Sequence, residues 1–333
     1  MKSLHQAAEI LAEQDGRRLD QALAELFPAY SRSRLKQWIL DGRVSLDGES
    51  AIPKTPVRSG QRVQLNPVVE LISQLHPQPI DLSVLHEDDH LIVVDKPVGM
   101  VVHPGASNAD GTLQNGLLHR FPELATLPRA GLLHRLDKGT SGAILVAKTL
   151  TAHTQLVRDL EARQIVREYR AACVGRLVAG GSVDLPVGRH PTRRTCMAVV
   201  ERGRQAVTHY RVLARFKHHS YLAVRLETGR THQIRVHMAQ LQHPLIGDPL
   251  YGGRLKVPAG APSNLGRMLH SFRHQALHAC RLSFRHPVTG QQTTIEAPLP
   301  RDLLELLLAL AGTASPSIPF EEMSWPDPLT DSS

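Results

Sequence analysis

Three cysteines are all that this 333-residue chain contains, and Cys173, Cys196 and Cys280 lie far apart with no Cys-x-x-Cys spacing. A disulfide framework and a thiolate zinc site are therefore not expected, and a reducing, cytoplasmic compartment is the simplest home. No apolar run approaches the ~18 residues needed to cross a membrane. The opening MKSLHQAAEILAEQDG carries three acidic residues and lacks the apolar core and small-residue cleavage site of a secretory leader. Aromatic residues amount to 4 %, too few for a platform on which successive bases of a single strand would stack. Neither a Gly-rich phosphate loop nor a His-Glu-x-x-His spacing is present, so no nucleotide, metal or other cofactor is indicated.

Positive charge is what the chain does have. Its formal net charge is +8, which points to a polyanionic partner without identifying it. The segment after Gly312 has four acidic residues, Glu321, Glu322, Asp327 and Asp331, and no Lys or Arg. The basic excess is thus concentrated in the preceding chain, where phosphate contacts would dominate the binding of a nucleic acid.

The length suits two domains. Residues 17–66 read as a small module after an N-terminal extension of residues 1–16. Leu19, Ala22, Leu23 and Leu26 form one helical stripe, ended by Pro28. Ser31 is a candidate N-cap for a second helix with Leu35, Trp38 and Ile39 inward and Arg32, Arg34 and Lys36 on its exposed side, stopped at Gly42. Asp47-Gly48 marks a hairpin, and Arg62 to Leu65 alternates as a closing strand. Residues 67–82, with three prolines, read as a semi-rigid linker. Residues 83–311 alternate irregularly between strands and a few helices, clearest at 151–164 and 300–311, which predicts an α+β domain on a mixed or antiparallel central sheet. Residues 312–333 read as a disordered acidic tail.

The most informative stretch is HRLDKGTSG, His134 to Gly142. It sets the carboxylate of Asp137 between Arg135 and Lys138 and follows it with small residues and a buried apolar strand, Ala143 to Ala147. A carboxylate held beside fixed positive charge stays ionised and can act as a nucleophile. Four other segments stand out. VVDKPVGMVVHPG, which includes Lys96 and His103, reads as strand, turn and second strand. Tyr169 opens a strand after Arg167-Glu168. In GRTHQIRVHM the alternation predicts a strand with Arg235 and His237 on one face and Ile234 and Val236 on the other. His232 and His237 would then face opposite ways, which argues against a shared metal. Leu277 lies in Gln-Ala-Leu-His-Ala.

HRLDKGTSG resembles the catalytic motif of the RluA family of RNA pseudouridine synthases, and the other segments follow in the family's order from about Arg17 to Ala311. RRLDQALAELFPAYSRSRLKQWILDGRV resembles the RNA-binding domain named after ribosomal protein S-four. SRSRLKQWILDGRV, RHPTRRTCMAV and GRTHQIRVHMAQLQHPLIGDPLYGG are similar to the D-type branch, which acts on large-subunit ribosomal RNA. The resemblance implies Asp137 as the catalytic carboxylate, Arg235 as its partner, Tyr169 as the ring that stacks on the target base, and Leu277 as an apolar residue beneath it. Arg135 becomes a candidate wedge beside a flipped-out uridine, and Lys96 and His103, in a segment that lies near the catalytic loop in the family, become candidate RNA or loop contacts. One departure concerns RNA contact: the family often has Arg directly before Gln-Ala-Leu-His-Ala, and here that residue is His274, after Arg273.

Isomerisation of uridine breaks the bond from uracil nitrogen to ribose, turns the base and rejoins it through carbon. Nothing is oxidised or transferred from a donor, so the resemblance implies no cofactor and no metal. The expected partner is ribosomal RNA of the large subunit or its precursor particle, with no membrane and a monomeric enzyme. Pseudouridine formation in transfer RNA or at another ribosomal RNA site, and a non-catalytic RNA-binding ribosome-assembly factor, are the alternatives. Plain RNA binding gives no use to a carboxylate facing phosphates, and a glycosidase-type hydrolase would need two carboxylates.

Overall fold

The computed structural model describes residues 6–27, 30, 32–66, 76–105, 108, 110–193, 195–254, 257–258, 263–312, 319–323 and 325, the side chains of 33, 34 and 263 excepted. The chain divides into two units, Met1–Ser73 and Gln74–Ser333.

In the first unit the elements are β1 (Gln6–Glu9), α1 (Leu19–Leu26), α2 (Arg32–Leu40), β2 (Val44–Leu46), β3 (Glu49–Ser50) and β4 (Arg62–Leu65). The strands pair antiparallel in the order β1-β4-β2-β3. Leu19, Ala22 and Leu23 of α1 pack with Leu35, Trp38 and Ile39 of α2 against Val44, Val63 and Leu65. Asp47 and Gly48 both have positive φ (53° and 86°), the backbone twist of a two-residue hairpin turn. Residues 6–16 are not a separate extension. β1 pairs with β4 and Ile10 is buried, an arrangement that the short, weakly apolar QAAE could not announce without its partner strand. Pro28 and Ser31 lie outside the described residues.

The second unit begins with β5 (Ser83–Glu87), β6 (Leu91–Lys96), α3 (Leu113–Arg120), β7 (Ser141–Ala147), α4 (Leu150–Glu161) and β8 (Val166–Val174). It continues through β9 (Gly181–Asp184), β10 (Val187–Arg189), β11 (Met197–Val199), β12 (Val207–Arg215), β13 (His219–Leu226) and α5 (Gln233–Gln240). The last elements are α6 (Ser263–Ser271), β14 (Leu277–Arg285), β15 (Gln292–Glu296) and α7 (Arg301–Ala311). Among the described residues, nine strands form one mixed sheet in the order β5-β6-β7-β14-β8-β13-β12-β9, with β15 on β14. β7 and β14 are parallel and the other pairs antiparallel. One face carries Tyr169, Ala171, Leu222 and Leu277 and packs on α3 and α5. The other is covered by α4, through Ala152 and Leu156, and by α6 and α7.

Four expectations are corrected here. The segment after Gly99 makes an isolated bridge, Val101 to Thr112, rather than a second strand. Residues 67–75 of the expected linker lie outside the described residues, while 76–82 belong to the second unit: Asn115 Nδ2 donates to the His76 carbonyl at 2.9 Å and Leu82 is core. Gln233–Gln240 is a helix instead of a strand. All of Gln233 to Met238 are buried, so the helix has no polar stripe and its apolar residues at 234, 236 and 238 imitate strand alternation. The tail is docked over residues 319–323 and 325. Phe320 is 2 % exposed and meets the rings of Phe216 and Tyr221, Arg170 donates to the Met323 carbonyl at 2.6 Å, and Trp325 lies against the guanidinium groups of Arg211 and Arg225.

Candidate active site

The loop that carries Asp137 is fixed from three sides. β14 pairs with β7 only at Ser141 and Gly142. Farther along β7, Leu132 bridges to Val146 and the His134 imidazole Nε2 accepts the Leu145 N–H at 3.0 Å. That role requires a neutral ring, and burial, helped by the charge of Arg167, lowers the His134 pKa to about 3. From the second side, the fully buried Lys96 at the end of β6 donates to the carbonyls of Pro97 (2.8 Å) and Met100 (2.9 Å), and reaches that of Lys138 at 3.5 Å. From the third, Gln275 donates to Thr140 Oγ1 at 2.8 Å and Ser141 pairs with His278 Nδ1 at 2.9 Å. Gly142, at φ +109°, lies so close to Ala279 that a Cβ would collide with its backbone. The Gly-Thr-Ser-Gly run is a packing joint between β7 and β14.

Asp137 is 16 % exposed in its side chain, and its Oδ2 accepts from Arg235 Nη1 at 2.9 Å. Arg235 comes from α5, is 4 % exposed, and is itself held by Asp248, Nε to Oδ2 at 2.7 Å and Nη2 to Oδ1 at 2.9 Å. The fork matches a carboxylate in two parallel charge-assisted bonds. Burial alone would lower the Arg235 pKa, and Asp248 with Asp137 raises it instead. Asp248 Oδ1 also accepts the N–H groups of Leu250 and Tyr251 at 2.9 and 3.0 Å. The Tyr251 hydroxyl accepts from Met197 N and pairs with His232 Nδ1, both at 2.8 Å. His232 Nε2 stands 3.8 Å from Asp137 Oδ1. Burial, with Arg235 and Arg135, lowers the His232 pKa against the opposing pull of Asp137.

These groups face a cleft of about 550 Å³ lined by Asp137, Tyr169, Arg235, Leu277, His232 and Arg167, among others. Tyr169 and Leu277 are 5 % and 6 % exposed and project from the same face of adjacent strands. Burial raises the Tyr169 pKa, so its hydroxyl stays protonated. Arg129, Arg135 and Arg163 line the cleft with exposed side chains, and Arg230 lines it half-buried. The arrangement joins a positioned carboxylate, a ring and an apolar side chain with a basic rim. Among the described residues no group of three or more His, Cys, Asp or Glu could hold a metal ion. His237 is occupied on both ring nitrogens, by Thr208 and by the Leu185 carbonyl.

A family model described as RNA pseudouridylate synthase matches residues 90–240, and one described as the S4 domain matches residues 17–63. Ribosomal large subunit pseudouridine synthase D of Vibrio parahaemolyticus is 53 % identical over 296 residues, 89 % of this chain and 91 % of that one. The protein of the same name from Escherichia coli is 52 % identical over 301 residues, 90 % and 92 % of the two chains. The chain belongs to the RNA pseudouridylate synthase family. Among solved structures, Human RNA Pseudouridylate Synthase Domain Containing 4 is similar with TM-score 0.56 and 27 % identity, over 68 % of this chain and 92 % of that one.

Within this pseudouridylate synthase the cleft gathers Asp137, Tyr169, Arg235, Leu277, Arg135 and His103 from the residues singled out in sequence. Lys96 is no RNA contact: it is fully buried and pins the loop. Arg135 and Lys138, neighbours of Asp137 in sequence, are both exposed, and the hydrogen-bonded cation is Arg235, 98 residues away. In the first unit Arg32 pairs with the buried Asp20 at 2.9 Å. Lys36 is exposed, and the Arg34 side chain lies outside the described residues. Sequence reasoning missed Asp248 and Tyr251, although Gly-Asp-Pro-Leu-Tyr, with a turn-forming Gly-Asp-Pro, was the available signal, and it weighed His232 only as a metal ligand.

Proposed function

We propose that this pseudouridine synthase isomerises several neighbouring uridines of one stem-loop in large-subunit ribosomal RNA, in the cytoplasm, with Asp137 as nucleophile. The observation that carries this reading is the 2.9 Å contact of Asp137 with Arg235 on the wall of a cleft that also holds Tyr169. The guanidinium keeps the carboxylate oriented through Oδ2, while Oδ1 stands 3.8 Å from His232 Nε2. Tyr169 stacks on the flipped uracil, an interaction worth about 1–3 kcal/mol per base, and its protonated hydroxyl is placed to give a proton when the base changes bonding. Leu277 packs beneath, and Arg135 holds the space that the uridine leaves. Arg129, Arg163 and Arg230 on the rim bind phosphates, as do Arg32, Arg34 and Lys36 of the S-four unit. Names and identities of the relatives support the choice of ribosomal RNA. Shape recognition of the stem-loop allows one pocket to serve adjacent uridines.

The test is pseudouridine mapping by carbodiimide labelling and reverse-transcriptase stops, since the product is an isomer that ordinary mass measurement does not see. Asp137→Ala and Asp137→Asn should abolish the product while leaving the melting temperature and RNA affinity close to wild type. Clear residual activity in the alanine variant ends the assignment of the nucleophile. In cells lacking the gene, one cluster in a large-subunit loop should disappear. Loss confined to transfer RNA would retain the chemistry and refute the substrate.

A further inference from the structure

Arg167 is a buried cation on the wall of the cleft. It lies on β8 two residues before Tyr169, so both side chains project from the same face of the strand into the cleft. The residue is 8 % exposed, and its Nε is buried with no hydrogen-bond partner. Among the described residues its guanidinium makes no hydrogen bond or ion pair, unlike Arg170 and Arg235, which are as deeply buried and each bound to a carboxylate. A buried charge without a partner is costly in the free protein. The surroundings nevertheless make room for it: a Cβ on Gly229 would come within 2.6 Å of Arg167 Nη1. Its charge acts on the Tyr169 hydroxyl, as does that of Asp137. The cation and the carboxylate thus stand around the ring on which the base stacks.

We propose that Arg167 binds the uracil itself, donating from its guanidinium to a ring carbonyl oxygen of the flipped nucleotide. The proposal rests on the pseudouridine synthase reading and adds a contact to it. RNA phosphates are met by the exposed arginines of the rim, whereas a cation at this depth, beside Tyr169, meets the part of the nucleotide that enters farthest. The chemistry gives it a purpose. Whichever atom Asp137 attacks, the N1–C1′ bond breaks with its electron pair on the base. That negative charge spreads to the carbonyl oxygens until C5 bonds to C1′, when C5 loses a proton and N1 gains one. A fixed donor aimed at a developing oxyanion, in a site screened from water, is the arrangement that stabilises such a charge, and losing one typically costs about 10²–10³-fold in rate.

The experiment uses the full chain and unmodified large-subunit ribosomal RNA transcribed in vitro. Arg167→Gln, Arg167→Met and Arg167→Lys are compared by single-turnover rate at saturating RNA, by dissociation constant across a salt series, and by melting temperature. The Gln and Met variants should lose about 10²–10³-fold in rate with affinity and salt slope unchanged, and Lys should recover part of the loss. Arg167→Met should melt at or above the wild-type temperature, because it removes an unpartnered buried charge. A near-wild-type rate for Gln overturns the proposal. So does weaker binding with a salt slope reduced by about one and an unchanged saturating rate, which would assign the guanidinium to a phosphate. A lower melting temperature for Met, or a rate loss that only shifts the pH profile, refutes it in favour of a structural role or of tuning the Tyr169 hydroxyl. If the wild-type protein forms no pseudouridine at all, the functional reading itself fails; if it does, failure of the variants touches Arg167 alone.

Discussion

Replacing Asp248 with Ala should separate stability from chemistry at this site. The change removes both bonds of the fork to Arg235, at 2.7 and 2.9 Å, and the acceptor for two backbone N–H groups at 2.9 and 3.0 Å. Arg235 is 4 % exposed and cannot turn to water. Removing one partner of a buried pair costs ~3–5 kcal/mol, and because Asp137 still faces the guanidinium the loss should fall near ~3. At ~2–4 °C per kcal/mol for a domain of this size, the melting midpoint drops by ~6–12 °C. Asp137→Ala leaves the fork to Asp248 whole, and its own side chain is 16 % exposed, so the stability change should stay within about 1 kcal/mol. Freed from its anchor, Arg235 should also orient Asp137 poorly, lowering single-turnover rate ~10²-fold, as small misplacements do. Calorimetry, with the transition of each unit resolved, measures the first effect, and pseudouridine formation at saturating RNA the second. Asp248→Asn keeps an acceptor for the N–H groups and should recover part of both. An Asp248→Ala protein as stable as wild type, or more stable than Asp137→Ala, would rule out the fork as the anchor of Arg235.

Two further outcomes follow from other buried groups of the second unit. Burial lowers the pKa of His219 and His278 to about 4, and of His134 to about 3, from 6.5. The unfolded chain therefore takes up protons near pH 6.5 that the folded chain refuses, so the stability these groups contribute is full above that pH and lost as pH falls toward 4. Melting temperatures measured from pH 7.5 to 4.5 should decline through this window, and a flat profile would contradict it. Phe320→Ala removes a ring that is 2 % exposed against Phe216 and Tyr221, and should cost about 3–5 kcal/mol in urea unfolding with little effect on single-turnover rate. No measurable loss would mean that the tail does not dock as described.

Local pattern was enough to locate much of the protein. The stripe Leu19, Ala22, Leu23 marks α1, Asp47-Gly48 marks its hairpin, and the continuous apolar run after Gly142 marks β7, because each depends on neighbours in sequence. A nine-residue string was enough to place Asp137 on a loop entering that strand. Pattern failed where burial is complete or the partner is remote. α5 is apolar and buried through Gln233 to Met238, so no polar face reveals its period. β1 and the docked Phe320 become intelligible only beside the strand and the rings that receive them. The electrostatics of the site divide in the same way. Sequence set Asp137 between Arg135 and Lys138, but these two are exposed. Tertiary structure chose Arg235 as its hydrogen-bonded partner, Asp248 to hold Arg235, and Lys96 to pin the loop. Charged groups interact through distance and desolvation, and neither quantity exists until the sheet has brought residues 96, 137, 235 and 248 together.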